Sequence, residues 1–231
     1  MHPNRKKIVL VIVEGPSDET ALGVIMNRLF RQNEVIVHVM RSDITSELST
    51  TPGNIVSKIN MSIRSRFGAS FKSGDFLRII HIVDTDGAFV DESAVVQDEG
   101  SLKTEYTIKE IHTKNREKIL ERNVRKSKNL KKLLSVSNIH SIPYNVFYMS
   151  CNLDHVLYNK MNSSDEAKEN DSWTFAKKYQ NNIPEFIQFI GNSDFTVADG
   201  YHESWNFIMK GLHSLERHTN FVLCLSNIER T

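Results

Sequence analysis

The feature that most constrains this chain is the run IVLVIV, residues 8–13, six apolar residues with no polar alternation. A strand with one solvated face alternates apolar and polar residues. A strand covered on both faces does not, and that is the pattern of a parallel sheet clothed by helices. The run is far too short to cross a bilayer. It also lacks the small-residue cleavage site of a signal peptide. A second run, LRIIHIV at 77–83, reads the same way. Further strands are expected at 35–40 and 144–150. Between them, Ala21, Leu22, Ile25, Met26, Leu29 and Phe30, and then Ile55, Ile59, Ile63 and Phe67, recur at helical spacing. Residues 41–52 read as a polar loop. Residues 88–110 read as irregular, with a short strand near 105–111. Residues 115–134 read as a long basic helix.

This order of strands and helices implies an α/β fold with a mostly parallel sheet. The remainder of the chain reads as mainly helical, with a break at Gly191–Asp194. Its expected apolar anchors are Trp173, Phe175, Tyr179, Phe186, Trp205, Phe207, Ile208 and Leu212. Cys151 and Cys224 have no metal-binding spacing and read as reduced, buried thiols of a cytoplasmic protein. The net charge of +1 names no partner, so only the distribution of charge along the chain is informative.

In parallel sheets, ligands bind beyond the carboxyl ends of the strands. The first strand ends in EGPSDE, with Glu14, Asp18 and Glu19, and the third ends in DTDG, with Asp84 and Asp86. Ser17 reads as a helix N-cap, and Asp18 and Glu19 suit the positive end of a helix dipole. Gly87 permits a sharp turn behind the paired aspartates. Carboxylates crowded together repel, and a hard cation such as Mg²⁺ or Mn²⁺ neutralises them. Glu14, Asp84 and Asp86 are therefore expected to converge within one ion's reach. Replacing Asp84 or Asp86 by Asn is expected to relieve repulsion in the metal-free protein.

VIVEGPSDETAL and IIHIVDTDG resemble the two motifs of the Toprim family, a strand ending in Glu-Gly with an acid soon after and a later strand ending in Asp-x-Asp. The EGxxDE form is most similar to the OLD-type and RloB-like branch, which includes stand-alone proteins of bacterial phage-defence systems. The resemblance covers about residues 5–90 and extends to a last strand at 144–149. It implies a Rossmann-like Toprim layer over 1–160, carrying a basic helical insertion near 114–134. A helical appendage, 161–231, would pack on the same core. It also implies a Mg²⁺- or Mn²⁺-dependent nuclease acting on DNA or RNA. Asp84, Asp86 and Asp18 would bind the metal, and Glu14 would act as general acid or base. MSCNLDHVLYN is similar to the segment after the last strand in RloB-like proteins, with Asp154 as its acid.

Residues 114–134 carry nine Lys or Arg against Glu117 and Glu121. Arg122, Arg125, Lys126 and Lys128 are candidate contacts to a nucleic-acid backbone; a solvated helix face is the plainer alternative. Two other readings stay open. HIVDTDG also resembles the first motif of haloacid-dehalogenase-type phosphatases, with Asp84 as nucleophile, Asp86 as acid, and Asp194 and Asp199 on the final acidic loop. The third is a non-catalytic Toprim-like module serving a partner ATPase.

Overall fold

The computed structural model describes residues 7–31, 34–39, 43–68 and 72–225. The chain forms β1 (Ile8–Val13), α1 (Pro16–Leu29), β2 (Glu34–Val39), α2 (Ile55–Phe67) and β3 (Phe76–Asp84). Three short strands follow, β4 (Val95–Gln97), β5 (Glu105–Tyr106) and β6 (Ile111–Thr113), and then α3 (Arg116–Leu134). After β7 (Asn138–Ile139) and β8 (Ile142–Ser150) come α4 (Leu153–Tyr158), α5 (Asp165–Tyr179), α6 (Ile183–Gly191), α7 (Tyr201–Ile208), β9 (His218–Thr219) and α8 (Val222–Leu225).

The fold is α/β with a mostly parallel sheet. Its strand order is β2-β1-β3-β8-β7, with β9 also on β8. β2, β1, β3 and β8 are parallel, and β7 and β9 pair antiparallel with β8. The unbroken apolar run of β1 is explained by cover on both faces. Val9, Val11 and Val13 point into a core with Leu22 and Ile25 of α1, Phe175 of α5 and Phe186 of α6. Ile8, Leu10 and Ile12 point into the opposite core with Ile55 and Ile59 of α2, Leu130 and Leu133 of α3, and Trp205 of α7. Each such side chain contributes roughly 1.5–3 kcal/mol on burial. The helices beyond residue 160 thus share both cores with the sheet. Both cysteines are free and buried. No helix among the described residues is long and apolar enough to cross a membrane.

Several local expectations are corrected. Residues 88–110 contribute to a separate three-stranded sheet, β4-β6-β5, rather than one short strand. Trp173 is 60% exposed, with the Lys177 ammonium 4.9 Å from its ring centre, and is no core anchor. Helix α1 starts earlier than a Ser17 cap allows. Pro16 fits its first position, Gly15 is the N-cap, and the Asp18 side chain accepts from the Gly15 N–H. The final residue of the expected strand at 35–40, and residues 41–42 of the expected loop, lie outside the described residues.

The turn after β3 needs glycine. Asp86 and Gly87 have φ of 48° and 66°. A Cβ on Gly87 would meet Leu215 Cδ2 at 2.6 Å and Ile111 Cδ1 at 2.9 Å. Gly87→Ala is therefore expected to cost about 1–3 kcal/mol, from left-handed strain and crowding together. Chemical denaturation measures it; an unchanged midpoint would show that the turn relaxes freely.

Candidate functional site

The two acid-tipped strands are neighbours. β1 pairs directly with β3, so Glu14 and Asp84 leave the sheet at the same carboxyl edge. The Glu14 carboxylate accepts a hydrogen bond from the Asp84 N–H, Oε1 to N 3.2 Å. Asp84 Oδ1 in turn accepts from the N–H of Leu153, in the first turn of α4, at 2.9 Å. That residue is in place because β8 pairs with β3 up to Asp84 and Met149.

A cation closes this edge from above. Lys126 of α3 is fully buried. Its Nζ lies 2.5 Å from Asp86 Oδ2, 2.7 Å from Asp43 Oδ2 and 3.9 Å from Glu14 Oε1. Neighbouring α3 residues reinforce the contact. Arg122 donates to the Asp86 carbonyl at 2.8 Å and to the Tyr106 hydroxyl, and Asn123 donates to the Gly87 carbonyl at 3.3 Å. On the other side, Arg125 donates to the Ser46 carbonyl and Asn129 to those of Thr45 and Thr50. α3 therefore clamps the DTDG turn and the 43–50 loop onto the sheet edge.

A second group of acids lies beside the first. Asp18, at the start of α1, feels Asp154 of α4, and Asp84 feels Asp18. Asp154 is 3% exposed, and its Oδ2 accepts no hydrogen bond, with Lys168 Nζ of α5 at 3.5 Å.

The charges explain the titration of these groups. Burial, and then Asp43, push the Glu14 carboxyl well above the usual range. Burial, and then Asp18 and Asp86, do the same to Asp84. Burial, with Asp154 adding to it, pushes Asp18 up to about 6. Asp43 goes the other way: burial would raise it, but Lys126 holds it well below the usual carboxylate range. Near neutral pH the edge thus carries more carboxyl groups than its cations balance.

The expected convergence is met only in part. Glu14, Asp84 and Asp18 share one edge. Among the described residues, however, no three His, Cys, Asp or Glu side chains gather into a group that holds a metal ion as they stand. Asp86 is turned to Lys126, because an ammonium is the partner within its reach. Lys126 itself is not on a solvated helix face, so its place as a surface phosphate contact is corrected to one inside the acidic edge. Arg122 likewise faces inward, whereas Arg125 is half-buried and Lys128 is exposed. Asp194 and Asp199 are exposed on the turns between α6 and α7.

Two members of the site were not foreseen. Asp43 lies in a loop, where its carboxylate accepts from the Thr45 N–H and from the Thr45 and Ser46 hydroxyls. In sequence this D-x-T-S pattern reads only as a turn. Lys168 sits in a charged helix with no distinguishing spacing. No protein-family model, curated protein or solved structure matches this chain.

The two aspartates of DTDG should now behave differently in the presence of a chelator. Asp84→Asn removes a carboxylate held at a cost, and is expected to stabilise at pH 8 by about 1 kcal/mol or more. A raised carboxyl opposes folding only above its ordinary pKa, so the gain should fade as the pH falls to about 4. Asp86→Asn strips a partner from a buried ammonium and is expected to cost about 2–3 kcal/mol, less than a lone buried pair because Asp43 remains. Thermal melts of both variants at the two pH values decide it. Stabilisation by both would show that Lys126 does not depend on Asp86.

Proposed function

We propose that this chain is a Toprim-type phosphoryl-transfer protein, a divalent-cation-dependent nuclease acting on DNA or RNA. The observation that carries this reading is the juxtaposition of Glu14 and Asp84 at the carboxyl edge of adjacent parallel strands, joined by the hydrogen bond from the Asp84 N–H to Glu14. That edge is where ligands bind in parallel sheets.

The donor chemistry fits a hard cation. Every acid at the edge offers carboxylate oxygen, and burial, followed by neighbouring acids, pushes Glu14 and Asp84 up, so that a cation would favour their ionised forms. The buried Asp154 Oδ2, which faces Lys168 Nζ at 3.5 Å, is a further carboxylate oxygen beside this edge. Asp84 and Asp18 are the residues best placed to hold Mg²⁺ or Mn²⁺, with Asp86 joining if it leaves Lys126. When bound, such an ion supplies neutralisation of phosphate charge and a more acidic water.

The remaining roles belong to the chain itself. Glu14 carries a carboxyl that burial, and then Asp43, push well above the usual carboxylate range, which suits it to take or give a proton at its carboxylate oxygen. α3 orients the Asp86 turn through Arg122, Asn123 and Lys126. Arg125 and Lys128 line an open groove of about 650 Å³ between α3 and residues 48–52, and are the candidates for phosphate contact outside the acidic edge. Glu117 and Glu121 share that groove, so its charge is mixed. Work beside an ATPase partner and a part in phage defence belong to the same proposal and rest on the family resemblance alone.

The test is cleavage of plasmid DNA, single-stranded DNA and RNA with Mg²⁺ or Mn²⁺ against EDTA. Activity on at least one substrate is expected with metal only. Glu14→Gln should lower turnover by about 10²–10⁴-fold while leaving metal binding largely intact. Arg125→Gln and Lys128→Gln should each weaken binding and reduce its salt dependence by about one counterion. Absence of cleavage, together with phosphomonoester turnover that traps a fluoride mimic on Asp84, would replace the nuclease by the phosphatase.

A further inference from the structure

A lysine with no exposed surface is uncommon, and here its ammonium is met by three carboxylates from three separate segments. Asp43 comes from the 43–50 loop, Asp86 from the turn after β3, and Glu14 from the end of β1. Ordinary ion pairing needs one partner. Three acids around one positive centre, two of them at contact distance, form a set of oxygen donors around a cation.

We infer that the Lys126 ammonium is a built-in counter-ion that occupies a cation position, so that a divalent ion entering this edge competes with it for Asp86. The inference rests on the proposed use of a divalent cation here, and adds what regulates its entry.

Three observations support it. First, Lys126 takes one oxygen of Asp86, the same carboxylate that the DTDG motif offers to an ion. Secondly, the lysine cannot easily swing away. Arg122 and Asn123 pin α3 to residues 86 and 87, and Asn129 pins it to Thr45 and Thr50. Thirdly, Glu14 lies 3.9 Å from Nζ, beyond hydrogen-bond distance, so one acid of the set is neutralised only partly. An ion that engaged Asp86 would have to displace the ammonium, and its apparent affinity would fall by the free energy of that displacement.

The experiment measures Mn²⁺ binding by the electron paramagnetic resonance of free Mn²⁺, and melting with and without Mn²⁺, on the full chain. Wild type is compared with Lys126→Met, which keeps an unbranched side chain, one heavy atom shorter, and removes the charge. Lys126→Met is expected to bind Mn²⁺ at least about tenfold more tightly, and to gain more in melting temperature from the same Mn²⁺ concentration. Lys132→Met, which removes an exposed charge from the same helix, should change neither.

Lys126→Met leaves buried carboxylates unbalanced and is open to misfolding. The double variant Asp43→Asn/Lys126→Met removes a charge together with its partner, carries the same expectation, and keeps the comparison readable. If wild type binds Mn²⁺ and the Lys126 variants bind no more tightly, the inference is overturned and the cation-dependent function stands. If only the Lys126 variants bind, the lysine is confirmed as the occupant of the cation position, and the metal is removed from the wild-type mechanism. If none binds, both are overturned.

Discussion

Lys126 has no exposed surface, and an ammonium without water persists only beside carboxylates at contact distance. That condition ties together parts of the chain far apart in sequence. Strand pairing brings the end of β1 beside the turn after β3, and one helix delivers a charge that these two and the 43–50 loop share. The asymmetry of the acidic edge follows. Asp43, at contact distance from the ammonium, is held ionised, whereas burial, and then neighbouring acids, push Glu14 and Asp84 towards the neutral form. A site with both kinds of carboxyl can hold charge in one place and exchange protons in another.

Much of the frame was legible in the sequence. The unalternating run of β1 required cover on both faces, and two cores flank it. The isoleucine spacing at 55, 59 and 63 gave α2, and the two acidic strand ends do lie side by side. These features depend on periodicity and on the rule that places ligands at strand carboxyl ends. What stayed hidden depends on long-range pairing. Lys126 lay within a run of basic residues, where charge alone suggests solvent. Its helical phase was the available signal: Ile119, Asn123, Lys126, Leu130 and Leu133 fall on one buried face, so a lysine stood where an apolar residue was due. Asp43 gave no such signal, because its turn-forming hydroxyl bonds and its ion pair look alike in sequence. Trp173 shows the opposite error, since a large aromatic residue on a helix face was read as core and is exposed.

In the proposed nuclease, the link from structure to activity is electrostatic. Phosphodiester cleavage needs positive charge where negative charge develops, and a group that moves a proton. Under that proposal the edge of this sheet would supply carboxylate oxygens to a cation and, in Glu14, a carboxyl that burial and then Asp43 push well above its usual range. Helix α3 contributes twice, through inward residues that set the Asp86 turn and through Arg125 and Lys128 at the groove outside. The basic helix is therefore first a structural clamp on the acidic edge.

The most direct test of this account is a double-mutant cycle between Asp86 and Lys126, read by denaturant unfolding with a chelator present. If the buried ammonium and its carboxylate form one unit, Asp86→Asn and Lys126→Met should each destabilise the fold. The double variant should then be more stable than their sum by at least about 1.5 kcal/mol. Additivity within about 0.5 kcal/mol would contradict it, because the two charges would then not depend on each other.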